Sequence, residues 1–491
     1  MPRISKTAYL EGCQCPKLLW HRFHEPEAMP EPSALTEAVF EQSRAVGDLA
    51  KRLFPDGIEV GAGIVDLDQT VALTRTALEH RRPLFEAAFA SAKAYARCDI
   101  LNPVGSDRWD LFEVKSSASP KPVYILDIAL QVRVLRDAGI NVRRCWVVCI
   151  NRDFVRQGDT DANHFFTRED VTDAVDELLP TVEDNLDRMQ DVLRLGACPQ
   201  VAIGPHCDSP YTCPLHDGCW SHLPSDSVFT LVRLGAKAFQ LYEQGVVGIR
   251  HLPAGFKLTP KQEIQRQAVV NSRPHIDRPA LAAFLRRLNY PLHFLDFETF
   301  APAIPMFDGD GPFERIPFQF SLHVQPAPGA KPEHAMFLAE GTGDPRRAFL
   351  ERLRAALSDH GSVVVYHAPF EKGVLTRGAE RMPEFEPWVN SVKRRVIDLL
   401  TPFKSFRVYY PQQRGSASIK AVMPALTGRG YADLDIREGG TASLEYARVT
   451  FGDVPDAERQ RVRRRLEAYC GRDTEGILWL VEALANLVNR R

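Results

Sequence analysis

Apolar and polar positions repeat with helical and strand periods along the chain, and they predict two separate α/β regions. In the first region, residues 35–54 have helical apolar spacing, while AYARCDIL and WDLFEVKSS predict two strands joined by the turn-rich NPVGSD. Residues 84–90 predict a strand or a helix end, and residues 167–195 predict a helix broken by Pro180. The second region begins at Pro291 and predicts strands near 292–297, 316–325 and 362–367, with helices near 345–358 and 456–488.

The length of the chain agrees with this division, because 491 residues exceed what one hydrophobic core usually organises. We therefore expect an α/β protein with a first domain over residues 1–225 and a second domain over residues 289–491. Between them, residues 226–288 predict a helical connector that contains AKAFQLYEQGV and the proline-marked LTPKQEIQRQAVV.

Composition places the chain in an ordinary globular class, with 44% hydrophobic and 25% charged residues. The net charge of −2 gives no general attraction to nucleic acid, so such a partner would have to meet local basic patches. The N-terminal segment lacks the apolar core of a signal peptide, and no run approaches the roughly 20 apolar residues of a membrane helix. Ten cysteines without a secretion signal favour a reduced, cytoplasmic protein with no membrane partner.

The segment HFLDFETF combines the pattern of a buried strand with two carboxylates. Asp296 and Glu298 are two residues apart, so a strand places both side chains on one face. Two like charges held close in a half-buried sheet repel each other unless a cation compensates them. The pattern therefore predicts a cation beside this strand.

Two further segments of the second half carry candidate chemistry. Glu371 lies at the junction of a buried strand and a helix, while Tyr469 and Asp473 are four residues apart on a helix and share a face. Each segment has an ordinary alternative. An acid in the first turn of a helix meets the positive end of the helix dipole, and a Tyr–Asp pair at this spacing occurs by chance in many helices.

Over residues 290–491, the ordered segments resemble the motifs of the DEDD exonuclease family in its tyrosine-bearing subgroup, which has a ribonuclease H-like mixed-sheet fold. His367 stands where that family has Asn, and Glu371 stands where it has Asp. The resemblance implies two Mg²⁺ or Mn²⁺ ions about 4 Å apart, hydrolysis from 3′ to 5′, and a Tyr469 that positions or helps deprotonate the attacking water. The implied metal ligands are Asp296, Glu298, Glu371 and Asp473.

The predicted hairpin of the first half contains a second group of candidate residues. Glu113 and Lys115 share a strand face, and the neighbouring strand can bring Asp99 opposite them. Two carboxylates can hold a divalent metal, while a lysine beside them can orient water and neutralise phosphate charge. The alternative is a surface hairpin with an exposed cross-strand ion pair.

The wider segment, from LFEAAF to DIALQVRVLRDAG, resembles the RecB-type branch of the PD-(D/E)XK nucleases, which have a restriction-endonuclease-like fold. The resemblance implies that the three hairpin residues form a metal-binding catalytic core. It also implies that Glu86 is an accessory metal ligand and that Gln131 is an accessory residue on the following helix. Two features differ from the family pattern, because residues 35–54 contain no His and Leu135 replaces a usual Tyr.

Three cysteines follow this region in PHCDSPYTCPLHDGCW, with five residues between successive members. Together with one cysteine of GCQCPKLLW, they resemble iron–sulfur nucleases of the AddB and CRISPR-adaptation type, which implies a [4Fe–4S] cluster. Cys15 matches that pattern better than Cys13, and Cys198 is another spare. Zinc is the rival because His206 and His216 lie among the cysteines, although paired zinc ligands are usually two to four residues apart. The implied cluster ligands are Cys15, Cys207, Cys213 and Cys219.

Both resemblances imply the same substrate class, and the pairing of domains resembles predicted RecB-family nucleases. We expect a metal-dependent phosphodiester hydrolase that acts on single-stranded or end-exposed DNA, or on RNA. The sequence has no helicase motif, so unwinding would need a helicase supplied by another protein. The alternative is a nucleic-acid binding or sensing protein with inactive nuclease sites and a structural or redox-sensing cluster. A metabolic α/β enzyme has no support, since there is no glycine-rich phosphate loop.

Overall fold

A computed structural model describes residues 2–61, 63 and 66–489 of the chain. Helices and strands are mixed throughout these residues, and each of the two main sheets contains both parallel and antiparallel strand pairs. The predicted α/β class is therefore confirmed. None of the described helices is long and apolar enough to cross a lipid bilayer.

The chain forms two compact units. The first unit comprises Met1–His222 and Pro302–Glu314, and the second comprises Leu223–Ala301 and Arg315–Arg491. A short segment from the middle of the sequence therefore belongs to the first unit. Residues 226–288, which were predicted to form a connector, belong to the second unit.

Eight helices and six strands make up the described part of the first unit. Its helices are α1 (Lys6–Gln14), α2 (Pro16–His24), α3 (Ala34–Lys51), α4 (Leu67–Leu78), α5 (Pro122–Asp137), α6 (Ala162–Phe165), α7 (Thr172–Leu193) and α8 (His216–Trp220). Its strands are β1 (Ile58–Glu59), β2 (Leu84–Ala90), β3 (Tyr95–Val104), β4 (Arg108–Lys115), β5 (Asn141–Ile150) and β6 (Phe166–Asp170).

The six strands of the first unit form one sheet in the order β1-β2-β3-β4-β5-β6. β1 runs parallel to β2 and β4 runs parallel to β5, whereas the other neighbours are antiparallel. One face packs against α1, α5 and α7 around Tyr9, Ile128 and Val182. The other face packs against α3 around Val46 and Phe112. Because helices cover both faces, a strand such as β2 is apolar at nearly every position.

The prediction for residues 167–195 was wrong in two respects. Residues Phe166–Asp170 form β6, which pairs with β5, and α7 then continues without a break through Pro180. Proline in a helix interior costs about 3 kcal/mol, because one backbone hydrogen bond is lost and the ring clashes with the preceding turn. The apolar face of α7 buries five large side chains, each of which contributes about 1.5–3 kcal/mol, so tertiary packing outweighs the local cost.

Ten helices and seven strands make up the described part of the second unit. Its helices are α9 (Ala236–Glu243), α10 (Pro260–Val270), α11 (Arg278–Leu285), α12 (Arg346–Ala356), α13 (Ala368–Arg381), α14 (Glu386–Arg395), α15 (Leu400–Lys404), α16 (Ile419–Thr427), α17 (Gly439–Phe451) and α18 (Asp456–Asn489). Its strands are β7 (His275–Ile276), β8 (Leu292–Phe300), β9 (Ile316–Gln325), β10 (Glu333–Leu338), β11 (Ser362–Val365), β12 (Val396–Asp398) and β13 (Val408–Tyr409).

A five-stranded sheet in the order β10-β9-β8-β11-β12 forms the centre of the second unit. β8 is its middle strand and pairs antiparallel with β9 and parallel with β11. On one face, Leu295 and Phe297 of β8 enter a core with Phe349 of α12 and Leu375 of α13. The alternate residues of β8 point to the opposite face, where α18 packs on β8 and β9.

Gly361, in the turn before β11, has a left-handed backbone with φ +79°. A Cβ at this position would lie 2.1 Å from the carbonyl oxygen of Pro291. We expect Gly361→Ala to lower the thermal unfolding midpoint of the chain clearly, because backbone strain of about 1–3 kcal/mol adds to this clash. Circular dichroism during heating measures the midpoint. Gly343→Ala is the matched control, since nothing lies within 4 Å of a Cβ there, and equal midpoints for both variants would contradict the prediction.

Candidate metal and cysteine sites

The predicted acids of the second unit come from three elements that meet at the centre of its sheet. Asp296 and Glu298 lie on β8, on the face that α18 covers. Tyr469 and Asp473 lie one turn apart on α18, and both are buried. Glu371 lies in the first turn of α13 and is also buried. We call the four acids of this group, Asp296, Glu298, Glu371 and Asp473, the carboxylate cluster.

Close contacts connect the carboxylate cluster with its neighbours. Ligand atoms of Asp296, Glu298 and Cys470 all lie within 4.8 Å of one another. The Cys470 thiol is 4.0 Å from Asp296 Oδ2 and donates toward it. The Tyr431 hydroxyl donates a hydrogen bond to Asp473 Oδ1. Two carboxylates and a thiol therefore lie within reach of one point, and carboxylate oxygens are the ligands that a hard divalent cation prefers; Glu371 and Asp473 do not belong to this closest group.

Gathering three buried acids and the half-buried Asp296 changes their protonation. Burial and the charges of Asp473 and Glu298 raise the pKa of Asp296 well above its ordinary value. Burial and Asp473 raise the pKa of Glu298 to about 8, and burial raises the pKa of Asp473 to about 6. Burial also raises the pKa of Glu371 to about 8. The protein's own cations are therefore insufficient to keep all four carboxylates ionised at neutral pH.

Two observations show that the carboxylate cluster suits a divalent cation. Glu371 Oε2 is buried and has no hydrogen-bond partner in the described part of the chain, and an orphaned acceptor of this kind is unfavourable. Lys420 opposes the pKa shifts of the cluster, but its ammonium group lies 5.6 Å from the centre of the Tyr469 ring and forms no ion pair with a described carboxylate. Mg²⁺ or Mn²⁺ would supply the missing charge.

Three residues of this site lie outside the predicted set. Tyr431 and Lys420 come from segments without a recognisable motif, and only the tertiary fold brings them to α18. Asp398 ends β12 beside β11, and its charge adds to the effect of burial on the pKa of Glu371. The sequence does contain a signal for Asp398, because an acid at the end of a short apolar strand is a candidate site residue. His367 is the exposed residue before α13, and its imidazole opposes the effect of burial on the pKa of Asp398.

The hairpin residues of the first unit also lie together. The β3–β4 ladder stops short of Asp99, and Asp99 Oδ2 instead accepts the backbone N–H of Val114 at 2.7 Å. Lys115 Nζ donates to Glu113 Oε1 at 2.7 Å, so the two side chains share one face of β4, as the strand period predicts. The pairing of β3 with β4 therefore ends beside Asp99 and Glu113.

Helices α1 and α5 add further groups to this site. Lys6, at the start of α1, donates to both carboxylate oxygens of Glu113, at 2.9 and 3.0 Å. Asp127 on α5 accepts from Lys115 at 2.8 Å. Gln131, one turn later on α5, donates to Glu113 at 2.7 Å. Lys6 and Asp127 were not predicted; Asp127 shares a helix face with Gln131, whereas Lys6 is distant in sequence. We call Lys6, Asp99, Glu113, Lys115 and Asp127 the lysine–carboxylate cluster.

Charges within the lysine–carboxylate cluster nearly balance. Although burial opposes ionisation, the ammonium groups of Lys115 and Lys6 hold the pKa of Glu113 below its usual range. Burial and the charge of Glu113 raise the pKa of Asp99 to about 7. Burial favours the neutral form of Lys115, but Glu113 and Asp127 raise its pKa above the ordinary value. A divalent cation would therefore bind Asp99 and Glu113 in competition with two lysines.

The lysine–carboxylate cluster lies in a groove of about 1130 Å³. Glu86, the predicted accessory acid, lines this groove from β2. Its backbone has φ +56°, which is strained for a residue with a side chain. Burial raises the pKa of Glu86. Backbone strain of this kind is found where the fold fixes the direction of a side chain. Here the strained residue is Glu86, whose side chain borders the groove.

The four cysteines that were predicted as cluster ligands line one small pocket in the first unit. Cys15 lies between α1 and α2, Cys219 lies in α8, and the other two lie in the preceding loop. The backbone N–H of Cys213 donates to the carbonyl of Cys207 at 2.7 Å and folds this loop. Burial, with contributions from Cys15 and Cys207, raises the pKa of the Cys213 thiol to about 11. The four thiols therefore border one pocket and are the type of donor that an iron–sulfur cluster needs.

The other candidate ligands differ in their positions. Cys13 accepts a hydrogen bond from Asn185 at 3.4 Å, and Cys198 contacts an imidazole of α2. Among the described residues, neither of these two cysteines lines the pocket of the four, whereas His206 and His216 do. The donor types of the pocket suit a [4Fe–4S] cluster through four thiolates and zinc through thiolates and imidazole, although no three of these described ligand atoms all lie within 4.8 Å of one another.

In the absence of divalent metal, we expect the stability of the second unit to fall as pH rises from about 4.5 to about 8. The folded chain keeps protons on Glu298 and Glu371 up to about pH 8, whereas the unfolded chain releases them near its ordinary value of 4.5. Folding takes up protons across this window, so the free energy of unfolding decreases with pH. Mn²⁺ should reverse the loss. Thermal unfolding with EDTA or Mn²⁺ at both ends of the window measures these effects.

A double variant provides the control for this pH dependence. Asp296→Asn with Glu298→Gln removes two of the repelling charges, so we expect a weaker pH dependence and no stabilisation by Mn²⁺. Asp359→Asn changes an exposed acid of the same unit and should behave as the wild type. An equal Mn²⁺ effect in all three proteins would contradict a metal site at the carboxylate cluster.

We expect replacement of any of the four pocket cysteines by Ser to remove bound metal, because a missing thiolate leaves the centre one ligand short. Iron, sulfide and zinc analysis of anaerobically purified protein, together with its visible absorption, measures the loss and distinguishes the two metals. Cys13→Ser and Cys198→Ser are the matched controls and should retain the metal. Retention in the pocket variants, or loss in the controls, would show that the centre lies elsewhere.

Part of the second unit is similar to a known protein family. A domain of unknown function (DUF2779) matches residues 293–418. The matched range contains the cluster acids of β8 and α13 and ends before α18, which carries Tyr469 and Asp473. No curated protein gives a significant match.

Proposed function

We propose that the second unit is a metal-dependent exonuclease that hydrolyses phosphodiester bonds of DNA or RNA from 3′ ends. The observation that carries this proposal is that three buried acids and the half-buried Asp296 converge where the protein supplies too few cations, with Glu371 Oε2 lacking a partner among the described residues. The strand order β10-β9-β8-β11-β12 supports a ribonuclease H-like fold as part of the proposal. The order of the acids along the chain, which resembles the tyrosine-bearing DEDD family, supports it further.

The chain's own residues have definable tasks in this chemistry. Divalent cations held by the carboxylate cluster would activate a water and stabilise the leaving oxygen. Burial raises the pKa of Tyr469 well above its usual value, so its phenol stays protonated and orients a water or phosphate by donating a hydrogen bond. Tyr431 donates to Asp473 and holds that carboxylate in place. Lys420 has no carboxylate partner among the described residues and supplies positive charge to a phosphate oxygen.

We extend the proposal to the first unit as a second nuclease site with a restriction-endonuclease-like fold. Asp99 and Glu113 are the carboxylates for a Mg²⁺ or Mn²⁺ ion, and Gln131 holds Glu113 in position by a hydrogen bond. Lys115 stays cationic because Glu113 and Asp127 surround it, so it binds phosphate or orients water as a donor. The location of these groups in an open groove supports access for a polymer.

We also propose that the cysteine pocket holds a [4Fe–4S] cluster, with zinc as the alternative. Cys15 comes from near the start of the first unit, and Cys207, Cys213 and Cys219 come from near the end of its main segment. A metal centre bound by all four thiolates would join these two distant segments. It would therefore stabilise the position of α1, and with it the contact of Lys6 with Glu113.

A second candidate function is nucleic-acid binding without hydrolysis in the first unit. The ion pairs of Glu113 with Lys6 and Lys115 favour it, because they satisfy this carboxylate without a metal. In that case the first unit would bind a nucleic-acid strand without cutting it, and its cysteine pocket would serve as a structural or redox-sensing centre.

We expect the wild-type chain, purified anaerobically, to degrade labelled single-stranded DNA or RNA with Mn²⁺ or Mg²⁺ and to lose this activity in EDTA. Asp296→Ala should lower the amount of product formed by degradation from 3′ ends at least about 100-fold, because it deletes a metal ligand. Lys115→Ala should remove a different set of products if the first unit also cuts. Gel analysis of 5′- and 3′-labelled strands measures both effects.

Two surface substitutions serve as controls for this assay. Asp359→Ala removes an exposed acid of the second unit, and Lys93→Ala removes a surface ion pair of the first unit. Both should retain wild-type activity. If Lys115→Ala leaves all products unchanged while Asp296→Ala abolishes them, the first unit is a binding module. If the wild type binds strands but cuts none with either metal, the nuclease proposal is wrong.

A further inference from the structure

Two aromatic side chains line the groove of the first unit and lie outside the buried hydrophobic clusters of that unit. Phe40 on α3 and Tyr211 in the cysteine loop both line the groove, and each is 51% exposed. Among the described residues, neither ring belongs to a buried core of the unit. Large apolar side chains exposed beside a polar site are typical of a binding surface.

Hydrogen bonds hold both aromatic residues near the lysine–carboxylate cluster. Ser43, one turn after Phe40 on α3, forms a hydrogen bond with Ser116 at 2.8 Å, directly after Lys115. Gln14 at the end of α1 donates to the backbone carbonyl of Tyr211 at 2.7 Å. The rings are therefore carried by segments that are fixed to the same elements as the cluster.

Three basic side chains on the groove walls form no ion pair with a described carboxylate, although the charge of one of them, Arg97, opposes the rise in the pKa of Glu86. The three are Arg44, Arg97 and Lys121, and all of them are exposed. We call these three residues the wall cations. Apart from Glu86, the groove acids outside the lysine–carboxylate cluster already have basic partners. These pairs are Glu11 with Arg22, and Asp48 and Glu59 with Lys51.

We propose that this groove binds single-stranded nucleic acid, with Phe40 and Tyr211 stacking on its bases and the wall cations contacting its phosphates. Bases in a duplex already stack on each other, so a single strand is the polymer whose bases can reach these rings. Every base has a stacking face, and the site therefore has little sequence preference. The inference deepens the proposed function of the first unit and rests on it for the role of the cluster below the strand.

The first test measures the affinity of the full chain, purified anaerobically, for fluorescent oligothymidylate by anisotropy in EDTA, which prevents hydrolysis. Phe40→Ala and Tyr211→Ala should each weaken binding about tenfold, because each removes one stacking platform. Phe40→Trp and Tyr211→Phe retain a ring and should bind as the wild type. Val39→Ala is the matched control: it removes a neighbouring exposed apolar side chain of the same groove that has no ring.

The second test locates the strand and counts its ionic contacts. Photo-crosslinking with oligonucleotides that contain 5-iodouracil, followed by mass spectrometry, should give crosslinks at Phe40 and Tyr211. Replacing Arg44 by Ala should lower the slope of log affinity against log salt concentration by about 1, since one phosphate contact is lost. A blunt-ended duplex should compete poorly with the single strand.

Several results would overturn the inference. These are unchanged affinity in the two Ala variants, crosslinks confined to the second unit, and equal binding of a blunt duplex. A change in sedimentation of Phe40→Ala without a change in affinity would assign the ring to a protein contact instead. The outcome is separable from that of the proposed function. If the wild type cuts nothing but the Ala variants bind more weakly, the groove inference is supported and the nuclease proposal is wrong. If the wild type is active and the Ala variants bind normally, only the groove inference is wrong.

Discussion

Burying several carboxylates together is unfavourable, because each charge loses its water and repels its neighbours. The second unit nevertheless does this at the centre of its sheet, where Glu298, Glu371 and Asp473 surround Asp296. The acids come from β8, α13 and α18, so the packing of these elements holds the repelling groups together. A bound cation would turn this repulsion into attraction, and the packing of α18 on the sheet would then be stabilised by the site that it builds.

In the first unit, the protein's own lysines offset the cost of burying carboxylates together. Lys6 and Lys115 donate to Glu113, and Gln131 completes its hydrogen bonds. This site is therefore stable without added charge, and a metal there would compete with lysines instead of filling a deficit. The two sites would therefore gain different amounts of stability from a bound cation, and the carboxylate cluster would gain more.

Local sequence patterns were informative where one element's period determines the geometry. The strand period alone brought Asp296 and Glu298 to one face, and their ligand atoms lie within 4.8 Å of each other. The pattern failed where a partner comes from a distant segment, as with Lys6 and Tyr431, because only tertiary packing sets such contacts. It also failed at Pro180, where burial of an apolar helix face outweighs a local propensity to break the helix.

The carboxylate cluster has too few cations of its own, and we propose that it holds divalent metal. Crystals of the full chain soaked in Mn²⁺, with diffraction data collected at the manganese absorption edge, test it most directly. We expect anomalous density between the carboxylate oxygens of Asp296, Glu298, Glu371 and Asp473. Ordered Mn²⁺ elsewhere in the crystal, with no density at this cluster and its side chains hydrogen-bonded to one another through shared protons, would contradict it.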